Sequence, residues 1–284
     1  MRPNILRDRP LAPHTSFRIG GPATYFAHVR SIEEMVVAYR FALENTVPFV
    51  VIGKGSNVLF DDRGFSGFIA LNAIDFCHIN GGSVEVGAGH AFPKLSAKLS
   101  RVGLSGLEFG VGIPGSIGGA IFMNAGADGG DTATCLQSVS HIDEGGELRT
   151  TDVTRSAFGY RRSPFQKTGA PIVSAVFALR SLRRTDCKRG DIMKRRKATQ
   201  PYALPSAGCI FRNPEGGHGA GYLIDRCGLK GKRVGGAIVS PVHANFIVNT
   251  GGARSRDVLE LIETIEACVW EKAGIALERE VRIF

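Results

Sequence analysis

The longest periodic segment of the chain is "SRDVLELIETIEACVWEKAG" (255–274). There Val258, Leu259, Ile262, Ile265 and Val269 fall on one helical face, interrupted by the acid Glu266. This predicts a long amphipathic helix. A second helix is predicted near the start, because Ser31 and Glu34 have capping-box spacing and Met35, Val36, Tyr39, Ala42 and Leu43 repeat at helical intervals. Helices are also expected across 92–102 and 219–229. Apolar, β-branched runs predict strands at 48–52, 67–72, 83–89, 139–143, 147–150, 171–181, 244–249 and 276–284. From about Arg183 a basic run has the character of a helix or a linker. Strands interleaved with helices, without sequence repeats, imply an α+β protein of two lobes.

At 284 residues the chain exceeds one small core and suits two or three subdomains. No run approaches the ~18 apolar residues of a membrane span. "MRPNILRDRP" carries charge where a signal peptide would place its apolar core, so a cytoplasmic protein is expected. Six cysteines without C-x-x-C spacing indicate neither a disulfide framework nor a zinc site, and no metal is expected. Net charge changes the picture more: of the overall +9, the stretch Arg149 to Lys197 holds fourteen Lys and Arg against three Asp. A solvated basic face, a nucleic-acid patch and a site for a polyanionic small molecule all fit such a run. It lacks interleaved aromatics and any known nucleic-acid motif, which favours phosphate-bearing small ligands.

Five short stretches carry candidate chemistry. "GKGSN" (53–57) follows an apolar strand. It is either a plain tight turn or a loop whose successive N–H groups, with Lys54, Ser56 and Asn57, hold a pyrophosphate. It is neither a Walker A loop nor a dinucleotide-binding G-x-G-x-x-G. "GIPGSIGGA" (112–120) suits a backbone packed on a flat ligand and suits tight sheet packing about equally. In "FGYRRSPF" (158–165) the arginines are surface residues or anion holders. In "LEREV" (277–281) alternation puts Glu278 and Glu280 on one side of a strand, as an acid–base group or as a charged edge. "PSAGCIFRNP" (205–214) sets Cys209 in a small-residue turn, where a lone thiol reads as packing.

Taken in order, "TSFRIGGPA" (15–23), "GKGSNVLF", "GIPGSIGGAIFMNAGADGG", "FGYRRSPF", "PSAGCIFRNP", "GLKGKRVGGAIVSPVHANFIVN" (228–249) and "LEREVRI" resemble the UDP-N-acetylenolpyruvoylglucosamine reductases (MurB) over nearly the whole chain. The resemblance implies an FAD-binding portion of vanillyl-alcohol-oxidase (PCMH) type in two subdomains, 1–75 and 76–182, and a smaller α/β substrate-binding domain at 183–284. It implies a peptidoglycan-precursor reaction in which NADPH reduces FAD and hydride passes to the enolpyruvyl double bond of UDP-N-acetylglucosamine enolpyruvate. Gly53, Lys54, Gly55, Ser56, Asn57, Pro114, Gly115, Ser116, Gly118 and Gly119 fall where the family holds FAD. Tyr160, Asn213, Lys230 and His243 fall where it holds the UDP-sugar or the nicotinamide nucleotide. Arg161 corresponds to the arginine that receives the substrate's developing charge, and Glu280 to a carboxylate acting protonated or by orientation.

Many members place a serine proton donor where this sequence has Cys209; a thiol, with a free pKa of roughly 8.5, is the stronger acid. The 47 residues between Arg161 and Cys209 contain one tyrosine, Tyr202, so the chain resembles the subgroup lacking a tyrosine-bearing insertion. Small-molecule substrates, no nucleic acid, no membrane and a monomer are the corresponding expectations. Two rival functions remain at this point: another FAD oxidoreductase of the same fold, and a non-catalytic basic nucleotide-binding protein.

Overall fold

The computed structural model describes residues 3–182 and 186–284, the side chains of 186–189 apart. The onset of the basic run at Arg183, and with it the expected domain boundary, lies outside the described residues. The chain forms two compact units. One comprises the chain up to Arg7, Tyr25–Lys54 and Ser66–Arg195; the other comprises Asp8–Thr24, Gly55–Phe65 and Arg196–Phe284.

The first unit has two cores. In one, the helix Ile32–Glu44 buries Met35, Ala38 and Ala42 together with Ala27, Val29, Phe68 and Ala70. The helix starts where the pattern predicts, since Ser31 Oγ accepts from the Glu34 amide at 3.2 Å, while the Glu34 carboxylate reaches back to the Arg30 amide at 2.7 Å. The strands Phe49–Ile52 and Phe65–Asn72 pair in parallel beside it. The second core lies on a five-stranded antiparallel sheet ordered Leu148–Asp152, Leu136–Ile142, Ile172–Ala178, Ser83–Gly87, Cys77–Asn80. The helix Phe92–Arg101 adds Phe92, Leu95 and Leu99 to Val84, Val86, Val139 and Phe177 there. Each such side chain contributes about 1.5–3 kcal/mol on full burial. The edge strand Cys77–Asn80 escapes the sequence pattern, because it is short and alternates half-buried with exposed positions.

In the second unit a sheet ordered Ser206–Cys209, Phe246–Asn249, Ala237–Val239, Arg233–Val234 shares a core with the helices Ala220–Arg226 and Ser255–Ala273. The long helix buries Val258, Leu261, Ile262, Ile265 and Val269, and Phe17 and Leu59 from the two earlier segments join them. The predicted nine-residue final strand is shorter. Its ladder covers Arg282–Ile283, parallel to Val58–Leu59, while Phe211 and Arg279 form an isolated bridge before it. Glu278 and Arg279 are drawn into side-chain ion pairs with Arg212 and Glu266 instead of a continuous sheet.

Candidate active site

Cys209 ends a strand that does not run evenly. Ser206 faces Val248 and Cys209 faces Phe246, so three steps on one strand match two on its partner. Gly208 absorbs the extra residue as a bulge at φ +76°, a conformation in which a Cβ would be strained. The bulge takes the half-buried Cys209 out of simple alternation. Directly after it, the Ile210 amide donates to Asn245 O at 2.9 Å. The Asn245 side chain, in a residue 3% exposed, then closes a two-way link: its Oδ1 accepts from the Phe211 amide at 3.0 Å and its Nδ2 donates to Phe211 O at 2.8 Å.

The segment bearing Glu280 is laid against this one. The Glu280 amide donates to Ile210 O at 2.7 Å and the Arg212 amide to Glu278 O at 2.8 Å. The two carboxylates that alternation puts on one side therefore differ in surroundings. Glu278 is exposed and paired with Arg212, whereas Glu280 is half-buried. Arg279, facing the other way, makes a bidentate pair with Glu266 at 2.6 and 2.7 Å, which explains the acid on the apolar face of the long helix. Asn57 completes the group: its Nδ2 donates to Glu280 O at 3.1 Å and its carbonyl accepts from the Arg282 amide at 3.0 Å.

Asn213, Lys230 and His243 surround the short helix Ala220–Arg226. Asn213 Oδ1 accepts from the Ala220 amide at 3.0 Å, capping the helix, and Lys230 Nζ donates to Asp225 Oδ2 at 2.7 Å. His243 Nδ1 accepts from the Asn245 amide at 3.2 Å, which fixes the proton of the neutral ring on Nε2. Burial, and secondarily the charge of Lys230, push this imidazole below its ordinary range. A Cβ on Gly221 would stand 3.0 Å from His243 Cε1, so the helix start and the ring are in close contact.

In the first unit the two glycine-rich loops meet. A Cβ on Gly53 would lie 2.0 Å from Ser116 Oγ. That Oγ accepts from the Gly119 amide at 3.4 Å, at the start of an unforeseen short helix, Ile117–Phe122. The Ile117 and Gly118 amides bond to His90 O at 3.0 Å and Ala88 O at 2.8 Å, holding the loop on its strand. Pro114 and Gly119 are exposed. Among the described residues, the Gly53 and Lys54 amides meet no acceptor. Side-chain-free backbone with available N–H groups, beside the exposed cation Lys54, is a donor set that fits a dinucleotide diphosphate.

Tyr160 and Arg161 form the tip of a tight turn closed by Gly159–Arg162 main-chain bonds of 3.1 Å each way. Arg161 takes φ +55° without being glycine, at about 1–3 kcal/mol. The fold holds it there: Gln166 Nε2 donates to Arg161 O at 3.0 Å, and Asn124 Nδ2 to Gly159 O at 2.8 Å. The guanidinium is fixed as well, by Nη2 to Gly126 O at 2.9 Å and by Cζ 5.1 Å from the Tyr160 ring centroid. Sequence patterning does not single out Asn124, Gln166 or Asn245. A side-chain amide that bonds main chain outside its own element leaves no periodic signal.

Residues 23–152 match the family described as "FAD binding domain", and residues 200–284 that described as "UDP-N-acetylenolpyruvoylglucosamine reductase, C-terminal domain". The UDP-N-acetylenolpyruvoylglucosamine reductase of Protochlamydia amoebophila is 51% identical over 269 residues, 94% of this chain and 90% of its own length. That of Chlamydia muridarum is 48% identical over 99% of this chain and 94% of its own. The crystal structure of UDP-N-acetylenolpyruvylglucosamine reductase (MurB) from Thermus caldophilus is similar with a TM-score of 0.83 and 36% identity, covering 100% of this chain and 99% of that one.

Proposed function

This chain belongs to the UDP-N-acetylenolpyruvoylglucosamine reductase family, and on that premise we propose that Arg161, Cys209 and Glu280 carry its chemistry. The protein is an FAD-dependent oxidoreductase that reduces UDP-N-acetylglucosamine enolpyruvate to UDP-N-acetylmuramate with NADPH, in peptidoglycan precursor synthesis. Bound FAD would supply the hydride chemistry that links NADPH to the enolpyruvyl β-carbon. Gly53 to Asn57 and Pro114 to Gly119 are the proposed holders of that group, the first loop through the Gly53 and Lys54 amides and the Lys54 ammonium, the second as glycine-rich backbone packed against it.

Negative charge left on the α-carbon spreads into the adjoining carboxylate. Arg161 is the proposed partner for that charge; its prefixed guanidinium needs no reorganisation as the charge appears. Cys209 then gives its proton to the α-carbon, and the resulting thiolate is reprotonated from water. Glu280 acts in its protonated form, donating to the dianion rather than repelling it. Tyr160, Asn213, Lys230 and His243 are assigned to the UDP-sugar and the nicotinamide nucleotide. The basic run 149–197 is matched to these anionic ligands, without nucleic acid, in a cytoplasmic monomer of the subgroup lacking the tyrosine-bearing insertion. Among the described residues no helix is long and apolar enough to cross a membrane. The division 1–75, 76–182 and 183–284 is retained as the functional one.

The observation that best supports these roles is the main-chain bond of 2.7 Å joining Glu280 to Ile210, next to Cys209. The test separates the two half-reactions. Cys209→Ala is expected to let NADPH bleach the flavin normally and to block its reoxidation by the enolpyruvyl substrate, whereas Cys209→Ser keeps appreciable turnover. Full reoxidation in the alanine variant would place the donor elsewhere.

A further inference from the structure

The parallel ladder between 58–59 and 282–283 has a consequence one residue upstream. In a parallel pair, each residue of one strand that accepts through its carbonyl also donates through its own amide two residues back on the partner. Asn57 O takes the Arg282 amide at 3.0 Å, so a continued ladder would send the Asn57 main-chain amide to Glu280 O. The donor found there is the side chain: Nδ2 at 3.1 Å. Asn57 thus substitutes a side-chain amide for its main-chain one.

We propose that Asn57 is a positioning residue for Glu280, its side-chain amide fixing the carbonyl of that residue in place of a main-chain ladder bond. The proposal rests on the assignment of Glu280 made above. Of the two peptide groups flanking the Glu280 Cα, the N–H side is fixed by Ile210 O at 2.7 Å and the C=O side by Asn57 Nδ2. A carboxyl group that must meet a substrate atom tolerates little drift of its Cα, since misplacement on the order of 1 Å is worth about a hundredfold in rate. Residue chemistry is also selective here. An aspartate at this position would present only acceptors to a carbonyl oxygen, and a serine is too short to span the same gap.

The experiment uses the FAD-loaded enzyme and a double-mutant cycle. Asn57→Asp is made in the parent and in Glu280→Gln, with Asn57→Ala as the second variant if the aspartate does not fold. Flavin reoxidation by UDP-N-acetylglucosamine enolpyruvate is followed by stopped flow, and amide exchange is measured for the peptide 278–284. In the parent background reoxidation is expected to fall roughly tenfold to a hundredfold, with faster exchange at the peptide. In Glu280→Gln the same substitution, with rates taken per bound flavin from the absorbance of each preparation, is expected to cost less than about twofold, because the group it positions is already gone. Losses that multiply across the two backgrounds, or a parent-like rate in Asn57→Asp, overturn the proposal. If Glu280→Gln alone reoxidises at the parent rate, the catalytic assignment of Glu280 falls and the positioning role falls with it.

Discussion

Asn245→Ala removes both partners of the Phe211 peptide groups at once. The donor–acceptor distances are 3.0 and 2.8 Å, and Phe211 is 1% exposed, so water does not replace the lost amide without opening the core. A buried main-chain group left unsatisfied costs about 1–3 kcal/mol, which for the pair gives about 3 kcal/mol or somewhat more. The measurement suits this unit, because the chain's one tryptophan, Trp270, sits on its long helix and reports unfolding by fluorescence. With a urea m-value of about 1.5 kcal/mol/M, the midpoint is expected to fall by roughly 2 M. Asn245→Asp keeps the acceptor for the Phe211 amide and loses the donor, so it is expected to fall between the two. A midpoint within roughly 0.3 M of the parent for Asn245→Ala would refute the claim that this side chain secures the segment after Cys209.

Lys230→Met is expected to raise the His243 titration midpoint, read from the imidazole Cε1–H resonance, while leaving it below the ordinary 6.5, because burial is the larger cause of the depression. Since the folded value lies below the unfolded one, the unfolded chain binds more protons between them; the stability from a neutral His243 is full above about pH 6.5 and is lost as pH falls toward the folded value. Urea midpoints from Trp270 that rise on acidification through that window would contradict the sign. For Cys227, burial first and the neighbouring Cys268 thiol second push the thiol up to about 11. Alkylation of its peptide at pH 8, followed by mass spectrometry, is expected to run roughly a hundredfold slower than in the urea-unfolded chain, and equal rates would contradict it.

Local rules reach the parts of this protein that depend on near neighbours. The 255–273 helix and the Ser31 cap follow from spacing alone, and so does the apolar face apart from Leu261, which is buried while the expected Leu259 is only partly so. Alternation along "LEREV" separates the two glutamates from Val281, which is buried, and from Arg279, which is exposed. It cannot separate Glu278 from Glu280, because the difference is made by Arg212, 66 residues distant in sequence. Gly208 announces a special φ but not the bulge, which exists only relative to the partner strand. "GKGSN" is legible as a donor-rich loop, yet the destination of the Asn57 side chain lies 223 residues away. The strained Arg161 likewise reads as any arginine; its φ is imposed by Asn124 and Gln166 through bonds no periodicity encodes. The resemblance locates the residues; only the structure gives the reasons they stay where they are.

Assembly of the second unit from Asp8–Thr24, Gly55–Phe65 and Arg196–Phe284 bears on how the protein is made. Phe17 and Leu59, fully buried in the finished core, leave the ribosome long before Val258, Ile262 and Val281 exist to cover them. Closure of such widely separated segments is slow, and apolar side chains waiting for it are exposed to aggregation. The first unit, whose segments are nearly contiguous through Arg195, has no comparable wait for its partners. Nascent chains interrupted between the two stages are therefore the natural clients of a chaperone that holds exposed phenylalanine and leucine.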